Sequence, residues 1–336
     1  MTVVCWVESE TPVGGDRAAR AAAIVQRLQR RGVQVRLVVS GGVIEPRWAR
    51  GLGTPEVRWV AASEDALCVV RACARAAEAI VIDVPQGLSR REVDVLRRRW
   101  PVLLIDNPGG GAEVADLVLS TRTVAGDRRW LSGPAFVPLL RPSAPRGQRQ
   151  VGPGGLPLVL VHVGQPGAAD VTGAAVEALG RLEHPRVTAH VIVEATAPVW
   201  PALPRLLGRL GFPPAHPHTP ESVATHLALA DFAILRHGHA VYEALASGVP
   251  ALVVSTDARE CAAVEALAAS GALVSLGVAP SLEQIAGAAA ALAGDRRLRN
   301  EMVRAGRVLV DGRGAERVVD RLLAVVDGDE VRHVAD

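Results

Sequence analysis

Short apolar runs alternate along the chain with longer segments whose apolar positions recur every three or four residues. "TVVCWV" precedes a helix expected over 17–31, and "VQVRLVV" follows it. Further on, "AIVIDV" leads into a helix over 89–99, followed by "PVLLID" and "DLVLS". Runs of that length are strands and the 3.6-period segments are helices, so the pattern predicts parallel strands joined by crossover helices.

The segment "RPSAPRGQRQVGPGGLP" interrupts the pattern with Pro, Gly, Arg and Gln and reads as a linker. Beyond it the alternation restarts with "LPLVLVHVG", a helix over 170–182, "VTAHVIV", helices over 202–210 and 221–230, "DFAIL" and a helical C-terminal end. The expected organisation is an N-terminal α/β domain over 1–142, a linker over 143–156, a C-terminal α/β domain over 157–326 and a tail over 327–336. Two such halves imply a cleft, and in open parallel sheets ligands bind at the carboxyl ends of the strands.

Composition narrows the chemistry. The chain has 336 residues, enough for two ordinary cores, and 49% of them are hydrophobic. Its 37 basic and 35 acidic residues nearly balance, which argues against a dedicated nucleic-acid binder. Every basic residue among them is Arg. A phosphate loop of the Walker type and Schiff-base chemistry both need a Lys, so both are excluded. Cys5, Cys68, Cys73 and Cys261 form no Cys-x-x-Cys pair and read as small core residues in a reducing, cytoplasmic compartment. The stretch 66–82 is the most apolar helical segment, but Arg71, Arg75 and Glu78 interrupt it, so no membrane span is expected. Nor does the acidic sequence after the first apolar run resemble a signal peptide.

Candidate chemistry concentrates at strand-turn-helix joints. In "ILRHGHAVYEALASGVPALVV" a strand ends near Leu235, a turn carries Gly238, and a helix begins near Ala240. The free N–H groups of such a helix start seat a phosphate, and Glu243 one turn in can accept hydrogen bonds from sugar hydroxyls. An ordinary joint with a solvated Glu explains the same pattern. The loop "ETPVGGDRAAR" repeats the form with Gly14 and Gly15, but lacks G-x-G-x-x-G, and Asp16 is the expected N-cap. Asp83 and Asp106 each end an apolar strand, where they either bind a hydroxylated substrate or shape the next turn. The pairs His216/His218 and His237/His239 have no carboxylate or Cys at ligand spacing, so no metal site is expected. No serine-hydrolase elbow or zincin motif occurs.

In order along the chain, these motifs resemble the family of the pseudaminic acid pathway nucleotide-sugar hydrolase and the spore-coat polysaccharide protein SpsG, within the MurG-like GT-B superfamily. "VGGDRAAR" stands for the family's Ile-Gly-x-Gly-His-x-x-Arg loop, "IVIDV" and "LLIDN" for its strand-end aspartates, and "DLVLS" for the next strand. "GPAFVPLLRP" leads to its linker, and "LVHVGQPGAADVTGAAVEAL", with Gly164, is similar to its Gly-Gly-Ser-Asp-Pro loop. "LALADFAILRHGHAVYEALASGVPALVV" resembles the UDP-binding signature and "RAGRVLVDGRGAERVVDRLL" the C-terminal motif.

The resemblance implies a GT-B fold of two Rossmann-like domains facing each other across a cleft, with a UDP-sugar or other nucleotide sugar as ligand and no cofactor. It places the diphosphate at Gly238, His239 and Ala240 and the ribose at Glu243, and the loop position of Arg236 beside them makes it a candidate cationic helper. Gly14, Gly15 and Arg20 line the other domain's loop, and Arg17 or Arg20 would reach the β-phosphate. The family's catalytic His falls on Arg17 and its preceding Gly on Asp16, while its Asn-Gln pair falls near Arg259 and Glu260 and its Asp-His-Tyr segment on Asp83-Val84-Pro85. An Arg is always protonated and cannot act as a general base. Three readings follow: a UDP-sugar hydrolase or glycosyltransferase of surface-glycan or glycosylated-metabolite biosynthesis using Asp16, Arg17 and Asp83, a nucleotide-sugar-binding homologue without turnover that acts as a regulator or partner, or the same fold with another ligand.

Overall fold

The computed structural model describes residues 1–8, 15–41, 47–53, 56–61, 64–121, 126–140, 155–163, 171–193, 197–218 and 220–328. The chain forms two compact units, Met1–Arg141 with Gly312–Asp336, and Pro142–Asp311.

In the first unit, strands β1 (Thr2–Glu8), β2 (Gln34–Ser40), β3 (Glu56–Trp59), β4 (Ala79–Asp83), β5 (Val102–Ile105), β6 (Leu117–Ser120) and β7 (Trp130–Ser132) lie in the order β3-β2-β1-β4-β5-β6-β7. All neighbours are parallel. The helices α1 (Asp16–Arg30), α2 (Arg47–Arg50), α3 (Ala66–Cys73) and α4 (Arg90–Arg97) connect strands. Val3 to Val7 are all buried because helices cover both faces of β1, which is why its sequence is a continuous apolar run rather than an alternating one. Ile24, Val25 and Leu28 of α1 join the core on one face, and Val70 of α3 with Val93 and Leu96 of α4 join the core on the other. A capping box starts α4, with Ser89 and Glu92 each bonding the other's backbone N–H.

The second unit repeats the plan. Strands β8 (Leu158–His162), β9 (Thr188–Val193), β10 (His216–Pro217), β11 (Phe232–Arg236), β12 (Ala251–Ser255) and β13 (Leu273–Val278) form a parallel sheet in the order β10-β9-β8-β11-β12-β13. Its helices are α5 (Val171–Gly180), α6 (Leu203–Leu210), α7 (Pro220–Leu229), α8 (His239–Ser247), α9 (Ala258–Ala268), α10 (Leu282–Gly294) and α11 (Arg296–Leu309). Val159, Val161, Ile234 and Leu252 face a core that α5, α6 and α10 close.

The expected second domain over 157–326 needs correction at its end. The last helix, α12 (Gly314–Asp327), belongs to the first unit, where Val318, Val319, Leu322 and Val325 join Ile24 and Leu28 in one core. Arg27 pairs with Glu316 at 2.6 Å, Arg31 pairs with Asp320, and Arg317 donates to the carbonyl of Ala135. Of the expected linker and tail, 141–154 and 329–336 lie outside the described residues.

Three smaller expectations also change. The stretch 66–82 is not one helix: α3 ends at Cys73, a 3-10 turn covers Ala74–Ala76, and β4 begins at Ala79. His216 and Pro217, read as loop, add an edge strand beside Ile192 and Val193, a place where a Pro is tolerated. Only Cys5 is a core cysteine, and burial pushes its thiol up to about 12, whereas Cys68 is exposed. Among the described residues no helix is long and apolar enough to cross a membrane, and no three His, Cys, Asp or Glu side chains are arranged to hold a metal ion.

Candidate functional site

In the second unit, β11 is buried from Phe232 to Leu235 and delivers Arg236, His237 and Gly238 to the carboxyl edge of the sheet. Gly238 adopts φ +155° as the N-cap of α8, a backbone state glycine takes readily, and supplies no side-chain cap. Gly238 thus leaves the first turn of α8 without a cap from its own side chain, and the N–H of Val241 bonds the Gly238 carbonyl at 3.2 Å. His239 is buried and its Nε2 lies 3.6 Å from a Glu243 oxygen, one turn into the helix. At the far end, Gly248 closes α8 at φ +66°, the N–H of Val249 bonds the Ala244 carbonyl, and Pro250 precedes β12.

Arg236 and Glu260, 24 positions apart, meet here at 3.0 Å. The other Glu260 oxygen accepts from the N–H of Thr256 at 2.9 Å and from its hydroxyl at 2.7 Å, while Asp257 caps α9 by accepting from the Glu260 N–H. Burial pushes the Glu260 carboxyl up, but the Thr256 donors and the Arg236 guanidinium outweigh it and hold it below its ordinary value. Arg259 is exposed on the first turn of α9. This edge thus presents a helix start with a glycine N-cap beside a cation held in place by a carboxylate, an arrangement suited to an anion.

In the first unit, the N-cap of α1 is Gly15, not Asp16 as the sequence suggested. Asp16 is the first helical residue and half-buried, where a carboxylate suits the helix dipole. The Arg17 Nε donates to the Glu8 carbonyl at 3.0 Å. Arg20 is turned inward and grips Asp83 with two bonds of 3.0 Å, Nε to Oδ2 and Nη2 to Oδ1. Its Nη1 lies 3.8 Å from Asp106, whose carboxylate also accepts from the Thr121 N–H and hydroxyl, both at 2.8 Å. Asp106 sits at φ +45°, a left-handed conformation that costs energy for a non-glycine residue.

Only 2% of Asp83 is exposed. Burial raises its carboxyl above the ordinary value and Arg20 pulls in the opposite direction. Burial would lower Arg20, but the charge and hydrogen bonds of Asp83 prevail and push the guanidinium up. The group is thus a buried ion pair that ties α1 to the ends of β4 and β5. The structure brings Arg20 to Asp83 and Arg236 to Glu260, pairings that spacing alone did not reveal. Gly14 and Gly164 lie outside the described residues.

No protein-family model matches the chain, and no curated protein does. Solved structures do. MurG of Acinetobacter baumannii is 18% identical with a TM-score of 0.64, covering 96% of this chain and 99% of that one. The spinosyn rhamnosyltransferase SpnG, complexed with thymidine diphosphate, is 16% identical with a TM-score of 0.64, covering 98% of this chain and 100% of that one. Staphylococcus aureus MnaA, in a co-structure with UDP, is 12% identical with a TM-score of 0.67, covering 97% of each chain. At these identities the likeness concerns architecture, and with two parallel-stranded α/β units matched over nearly their whole length, the chain has the GT-B fold.

Proposed function

We propose that this chain processes a nucleotide sugar, by hydrolysis or by transfer to an acceptor. The observation that carries this reading is the start of α8, where a glycine N-cap, Gly238, supplies no capping side chain and the helix begins beside the Arg236–Glu260 pair. A nucleoside diphosphate fits such a seat, since backbone N–H groups and a fixed cation meet its charge as the glycosidic bond breaks. In the fold relatives SpnG and MnaA the bound molecule is a nucleoside diphosphate, which supports the same ligand class here. In this reading Glu243 takes the ribose hydroxyls, with Gly164, Arg259 and Glu260 bordering the donor. The loop of Gly14 and Gly15, with Arg17 and Arg20, belongs to the chemical half.

Asp16 is the carboxylate assigned to activate water or an acceptor hydroxyl. Asp83 is less suited, because both its oxygens already accept from Arg20. A second reading, binding without turnover, is favoured by Arg17 standing where the resembling family has its His.

Calorimetric titration with UDP, other nucleoside diphosphates and UDP-sugars separates these readings when the cell contents are then assayed for released nucleotide. Binding with release that persists in excess chelator, and that Asp16→Ala abolishes without loss of binding, is the expected result. Binding without release favours the second reading, and no binding of any nucleotide overturns both.

A further inference from the structure

Five of the nine histidines lie in one layer of the second unit. On β8 and β9 the valines at 159, 161, 191 and 193 face the main core, so His162 and His190 project from the opposite face. His216 on β10 pairs in register with Ile192 and stands on that same face, and α7, which packs against β8 and β9, brings down His226. The ring of His226 lies 4.5 Å from that of His216 and 5.1 Å from that of His190, and the rings of His190 and His216 are 5.8 Å apart. Beside them His218 stacks on His162, centroids 4.9 Å apart and planes 6° from parallel. The Nδ1 of His190 is buried and finds no hydrogen-bond partner among the described residues.

We propose that this histidine layer is an acid-sensitive latch, holding β10 and α7 on the sheet while its imidazoles are neutral and releasing them when they take up protons. Neutral rings pack here as edge-to-face and stacked aromatics. Protonated rings at the same distances repel one another, and their partial burial limits the water that can screen the repulsion.

The groups facing the layer are His162 from β8, His190 from β9, His216 from β10, His218 just after it, and His226 from α7. On α8, which packs against α7, Glu243 lies against His239, and the Asp231 carboxylate at the head of β11 accepts from the N–H of Leu158. Burial lowers His190, with His226 and His216 adding to it, and burial followed by His226 lowers His216. A histidine depressed in the folded state costs nothing above its unfolded pKa of about 6.5. As pH falls below that value the unfolded chain binds more protons, so stability is lost in the acid direction.

Hydrogen exchange of the full chain at pH 7.5 and pH 5.5, corrected for intrinsic rates, tests the latch. Peptides covering 216–229 are expected to lose several-fold of their protection on acidification, because the opened segment takes up protons that the closed layer resists. Peptides from α10 should keep theirs. In His226→Gln, and separately in His216→Gln, the loss should shrink. Unchanged protection of 216–229 in the wild type overturns the proposal, as does an equal loss in α10 or an undiminished loss in both variants.

Discussion

Arg20 belongs to the helix that opens the candidate chemical half, yet its guanidinium points inward to Asp83 and Asp106. Removing one partner of a buried ion pair leaves the other charged and uncompensated, which costs roughly 3–5 kcal/mol. Asp83→Asn is therefore expected to lower the urea midpoint of the first unit by a corresponding amount, whatever its effect on turnover. An unchanged midpoint would show that the pair contributes nothing to folding. Five of the six tryptophans, all but Trp200, lie in the first unit, so their fluorescence follows its unfolding directly. At this scale the sequence was legible in residue type and position. A carboxylate at a strand end was visible as such, but whether it faced a substrate or a buried arginine depended on how α1 turns over the sheet. The Asp16 capping role failed by one position, because the chain uses the Gly15 backbone as the cap.

Element by element, the apolar runs that became β1, β4, β8, β11 and β12 were legible because strands covered on both faces leave no polar positions to blur the pattern. The Gly-Val-Pro break was equally readable in physical terms. Gly248 takes the left-handed state that ends α8, and a β-carbon there would lie 2.9 Å from the Arg307 Nε. Harder to read was α12. An amphipathic helix declares which of its faces is apolar, not which core receives it. Leu322 is 1% exposed in the first unit's core, so Leu322→Ala should cost roughly 2–5 kcal/mol and shift the tryptophan-detected transition. If only a transition of the second unit moved, the assignment of α12 would be wrong. The β10 edge strand was hidden for another reason, since two residues containing a Pro carry no strand signal of their own.

For the whole molecule, the two repeats of a parallel sheet were evident from the alternation of runs, and the joint after 141 from its composition. The return of the chain to its starting unit has a consequence for biosynthesis. The second unit is one uninterrupted stretch, Pro142–Asp311, while the first is split by it and lacks Val318, Val319, Leu322 and Val325 until α12 has been made. Domains made first usually fold first on the ribosome. Here that order is inverted: nascent chains stalled shortly after 311 clears the exit tunnel should show a protease-resistant second unit and a protease-sensitive first one. The amino-terminal half would complete its fold only with α12, leaving Ile24 and Leu28 without the α12 side of their core throughout synthesis of the intervening unit.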